Sequence, residues 1–81
     1  MELRYAPHAR RRMQQRKVEP RQVETVLQER TITYPAPLLP GSLYHSVVYR
    51  ADVDGRPLKV YVEEGSDPPH VLSVAWADEE D

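Results

Sequence analysis

His8, Arg12 and Arg16 recur at four-residue steps, the spacing that lines side chains along one stripe of a helix. Ala9 and Met13 lie beside that stripe, so its members border an apolar face, where a polar head can reach a cleft while its stem packs. An imidazole near a helix N-terminus is held neutral by the positive end of the dipole, and the neutral form is the one a general base needs. Two guanidinium groups on the same stripe could hold a phosphate and stabilise charge that develops on it. Cleavage of RNA asks for little more: a base for the 2′-hydroxyl proton, cations at the pentavalent phosphorus, and a proton for the leaving oxygen. A purely structural part fits the same residues, with His8 marking the helix start and the arginines pairing with carboxylates nearby.

The other candidates are more scattered. Arg50, Lys59, Tyr44 and Tyr61 alternate onto one predicted sheet face, and basic groups interleaved with aromatics can bind single-stranded nucleic acid. A solvated face or a homodimer contact would use the same residues. Arg50 opposite Lys59 is a like-charge cross-strand pair, mildly unfavourable unless an anion lies across it. His8, His45 and His70 share no local ligand spacing and there is no cysteine, so neither a metal site nor a cofactor is expected. His45 is expected at a strand start on the core face, as a hydrogen-bonded boundary residue.

Two short helices must carry the stripe. Pro7 suits the first position of a helix over residues 7–17, and Arg16 and Lys17 suit its last turn. Pro20 opens a second helix with Glu19 at its cap, and Val18 with Val23 forms a hydrophobic staple. Val23, Val26 and Leu27 make one buried face, and the helix gives way near Arg30 to the β-favouring residues 31–34, a short edge strand. The proline-rich segment 35–42 cannot sit inside a sheet. Asp54-Gly55 between two alternating runs is a two-residue hairpin signal, and it pairs Val53 with Arg56, Ala51 with Leu58, Tyr49 with Val60 and Val47 with Val62. Leu43, His45, Val47, Tyr49 and Ala51 then share the core side. A last strand over residues 70–77 places Leu72, Val74 and Trp76 on one face, ahead of an acidic tail that could lie over Arg10-Arg11-Arg12. The expected fold is α+β: two N-terminal helices on one face of a three- to four-stranded antiparallel sheet.

With 81 residues the chain is one domain with a thin core. Met1-Glu2-Leu3-Arg4 starts no apolar run, and no stretch is long enough to span a bilayer, so a cytoplasmic protein without membrane contact is expected. The net charge of −2 is unevenly spread. Residues 1–30 hold eight basic and four acidic residues, and residues 31–81 hold three basic and nine acidic ones. A basic helical half could face phosphates or an acidic partner, although a pI near 5.9 does not by itself point to nucleic acid.

His8-Ala9-Arg10-Arg11-Arg12-Met13-Gln14-Gln15-Arg16, followed by Val23-Glu24-Thr25-Val26-Leu27 and by Trp76 near the end, resembles the bacterial domain-of-unknown-function family 4258 over nearly the whole chain. That family is distantly similar to the BrnT and RelE/ParE small toxins. The resemblance implies a RelE/BrnT-like fold, a toxin-like RNA endonuclease with His8, Arg12 and Arg16 as its site, RNA as substrate and a cognate antitoxin as partner. The competing expectation is a non-catalytic interaction module that recruits a protein through an exposed sheet face or edge.

Overall fold

The computed structural model describes residues 1–36 and 45–79. The elements run β1 (Arg4–Tyr5), α1 (Pro7–Arg16), α2 (Pro20–Glu29), β2 (Ile32–Pro35), β3 (Ser46–Val53), β4 (Arg56–Glu63), β5 (His70–Trp76) and a closing 3₁₀ turn, Ala77–Glu79. No helix among the described residues is long and apolar enough to cross a membrane.

Both helices start at the expected prolines. Ala6 has no side chain to cap α1, and the chain is held there by its backbone instead: the Ala6 N–H donates to the Val71 carbonyl at 2.9 Å. At the other end Lys17 takes the left-handed conformation, with φ of 56°, and the Val18 N–H returns to the Met13 carbonyl at 2.8 Å. That reversal drops Val18 into the core next to α2. Gln22 supports the start of α2, its Oε1 accepting the Glu19 N–H at 2.9 Å.

The sheet order is β1-β5-β4-β3-β2. The hairpin has the register that the Asp-Gly turn demands, including Val53 with Arg56, Ala51 with Leu58, Tyr49 with Val60 and Val47 with Val62. Asp54 and Gly55 both have positive φ, 51° and 80°, as a primed turn needs. Ala51, Val53, Leu58, Val60, Val62, Val71, Val74 and Trp76 pack with Ala9, Met13, Val23, Val26 and Leu27 in one core. β2 lies at the edge, where Pro35 can pair with Val47 without the donor a central strand would require.

Four expectations need correction. The sheet has five strands and is mixed, because Arg4 and Tyr5 pair in parallel with His70 and Val71. A two-residue strand is too short to show alternation in sequence. In β5 the register shifts near Tyr61 and Val62, so that Tyr61 faces Ser73 while Val62 faces Val71. Leu72 is the extra residue; Val71 takes the fully buried place and Leu72 is left half-buried. His45 is exposed, lying just before β3. Leu43, Tyr44 and most of the proline-rich segment lie outside the described residues.

Candidate functional site

α1 lies against β5 and covers an edge that β1 leaves open after Val71. Two bonds tie them. The Arg16 guanidinium donates to the Val74 carbonyl, and the Trp76 indole Nε1–H donates to the Arg16 carbonyl at 2.7 Å. Arg16 therefore satisfies an edge acceptor and helps to dock the helix. Its stem and head are partly buried, and it lines a small cleft of about 160 Å³ with Ala75, Trp76 and Glu79.

His8 and Arg12 form a separate, more open pair. Arg12 Nε donates to His8 Nε2 at 3.3 Å, and Arg12 Nη1 donates to Gln15 Oε1 at 3.0 Å. Both acceptors are neutral, so the guanidinium is oriented without being neutralised. The imidazole has its pKa lowered, first by partial desolvation and then by the positive fields of Arg12, Arg11 and Arg16. Since Nε2 accepts, the ring proton is assigned to Nδ1. The stripe read from the sequence is thus present, but its members divide. His8 and Arg12 touch each other at the surface, whereas Arg16 turns inward to β5, and the cleft it lines contains neither of them.

The sheet face away from the helices carries two cross-strand rows, Ile32-Arg50-Lys59-Ala75 and Tyr34-Val48-Tyr61-Ser73. Arg50 sits opposite Lys59 as expected, but the face is less open than alternation suggests. Lys59 is 8 % exposed and Val48 1 % exposed, and the Lys59 ammonium lies 5.7 Å from the Tyr61 ring centre. Tyr44, the fourth member proposed for this surface, lies outside the described residues.

Sequence reasoning did not single out Arg56. Its guanidinium stacks on Trp76 at 4.1 Å and binds Asp78 through two contacts, at 3.0 and 3.1 Å, and Glu79 at 3.0 Å. The described part of the acidic tail is therefore clasped by Arg56 and does not lie over Arg10-Arg11-Arg12. The signal available in sequence was only an arginine after a turn and a distant run of acids, which nothing local connects. Asp54 does more than form the turn: it also accepts from Arg21 at 3.1 Å and from Gln22 at 2.9 Å, tying the hairpin tip to the start of α2. His70 Nδ1 lies 3.2 Å from Glu63 Oε1. Among the described residues no three His, Asp or Glu side chains gather as a metal ion would require. A second groove, of about 430 Å³, lies on the opposite flank of α1, between Tyr5, Arg10, Met13, Gln14, Val18 and Pro20.

No curated protein and no solved structure matches the chain. A family model described as Domain of unknown function (DUF4258) matches residues 5–76, a span that runs from β1 through the last residue of β5 and includes His8, Arg12, Arg16 and Trp76. The chain belongs to the DUF4258 family.

Proposed function

We propose that this protein is a toxin-like RNA endonuclease whose working pair is His8 and Arg12, with Arg16 as a positioning residue. One observation carries the reading: an exposed neutral imidazole touches a guanidinium that is oriented by neutral partners and keeps its full charge for an anion. When a phosphodiester binds, Arg12 turns its N–H groups to a phosphate oxygen and releases His8 Nε2. Nε2 then takes the 2′-hydroxyl proton, the 2′-oxygen bonds to phosphorus, and the bond from phosphorus to the 5′-oxygen breaks. The departing oxygen takes a proton from water, and His8 returns its own to solvent. The products are a 2′,3′-cyclic phosphate and a 5′-hydroxyl. The kinship with BrnT- and RelE-like toxins, RNA as substrate and a cognate antitoxin as partner belong to the same proposal.

The test is incubation of purified protein with single-stranded RNA and analysis of the ends. Cyclic phosphate products that disappear with His8→Ala support the reading. Intact RNA with folded wild-type protein opposes it.

A second reading has its own observation. Ile32 and Tyr34, on edge strand β2, are 47 % and 37 % exposed and lie on the same sheet face. An interaction module would recruit a protein there, and a stoichiometric partner lost on Ile32→Lys would favour it.

A further inference from the structure

We propose that Arg56 is the far end of the same anion-binding track, and that Asp78 and Glu79 close this end until RNA displaces them. This rests on the reading of His8 and Arg12 as an RNA site and names a further binding residue and its control. α1 carries His8, Arg12 and Arg16 alongside β5, and Arg16 is joined to Trp76 through its carbonyl. The ring of that tryptophan holds Arg56 at 4.1 Å. Arg16 and Arg56 therefore meet at Trp76, the first through its backbone carbonyl and the second on the face of the ring. Glu79 stands at the junction: it lines the cleft with Arg16 and Trp76 and binds Arg56 Nη2 at 3.0 Å. Asp78 takes Arg56 in a forked contact, the geometry a phosphate would use.

Three features suit this contact to displacement. The Arg56, Asp78 and Glu79 side chains are all at least two-fifths exposed, so water can replace either partner. Stacking on Trp76 holds the guanidinium plane in place when the carboxylates leave. The acids sit on a short 3₁₀ turn, Ala77–Glu79, beyond the last strand, so moving them breaks no sheet pairing. The acidic turn is thus an internal stand-in for phosphate that weakens binding of a polyanion until it is displaced.

The experiment is binding of a fluorescent uridine 12-mer RNA to the full chain at several salt concentrations, with folding followed by circular dichroism. Compared with wild type, Asp78→Asn/Glu79→Gln should bind several-fold more tightly. Its slope of log affinity against log salt should steepen by about one, the signature of one more phosphate contact. Arg56→Ala in that background should abolish the gain. Glu79→Gln alone, which keeps the Asp78 fork, should give a smaller gain in the same direction and serves if the double variant unfolds. Equal affinity and slope for wild type and the folded variant would overturn the proposal while leaving the His8–Arg12 site standing. No binding by any form, wild type included, would remove both.

Discussion

The indole N–H of Trp76 reaches the backbone carbonyl of Arg16, while the guanidinium of that same Arg16 reaches the carbonyl of Val74. Helix and strand exchange one bond in each direction. An arginine that looks catalytic from its spacing is thereby committed to the scaffold, whereas Arg12, one turn earlier, bonds to neutral groups on its own helix.

That division predicts opposite consequences for two substitutions on one stripe. Arg16→Ala removes a charged donor from a β5 carbonyl and should cost about 1–3 kcal/mol of stability. Arg12→Ala breaks only exposed bonds to His8 and Gln15, so its cost should stay within about 0.5 kcal/mol. Urea unfolding distinguishes them, and in the proposed function only Arg12→Ala abolishes RNA binding by the folded protein.

The hairpin tip combines backbone and side-chain demands. Gly55 has a φ of 80° and open space where a Cβ would stand, so Gly55→Ala should cost about 1–2 kcal/mol through the backbone alone. Asp54→Asn keeps a residue that tolerates positive φ but weakens the contacts to Arg21 and Gln22; Asp54→Ala loses both properties. Thermal unfolding should rank wild type above Asp54→Asn and Asp54→Asn above Asp54→Ala.

The same hairpin shows what sequence can carry. Turn chemistry and alternation are local, and at Asp54-Gly55 they agree, so the pairing of Ala51 with Leu58 could be read in advance. Pro7 and Pro20 mark their helices for an equally local reason. β1 was illegible because two residues have no periodicity, and the extra residue at Leu72 because nothing in a run of apolar residues says where a register slips. The candidate site was legible as a stripe but not as a partition. Whether Arg16 faces solvent or β5 depends on the Val74 carbonyl, 58 residues away. The clasp of Arg56 by Asp78 and Glu79 is non-local in the same sense.

Acid should weaken the fold through two carboxylates. Hydrogen bonds from Gln22 and Arg21 hold Asp54 below its ordinary pKa, and bonds from Arg56 do the same for Asp78. A depressed folded-state pKa means that the unfolded chain binds protons first. The contribution is complete above the unfolded carboxylate value of about 3.9 and is lost as pH falls through the folded values. Melting temperature followed from pH 6 to pH 2 should drop in that window, and Asp54→Asn/Asp78→Asn should flatten the drop.

His8 should titrate below the ordinary imidazole value of about 6.5. Partial burial lowers it first, and Arg12 contributes the next largest effect. In NMR titration Arg12→Ala should move the midpoint upward without restoring it fully, since the desolvation remains. Arg11→Ala should act in the same direction and more weakly.

The most direct test of the central claim is an NMR titration of the full chain with the uridine 12-mer, following the His8 ring and the Arg12 Nε–H. Both resonances should shift together and saturably, and the His8 shift should be lost in Arg12→Ala. Saturable RNA binding that leaves His8 and Arg12 unmoved and shifts residues on the opposite sheet face, such as Arg50 and Tyr61, would contradict it.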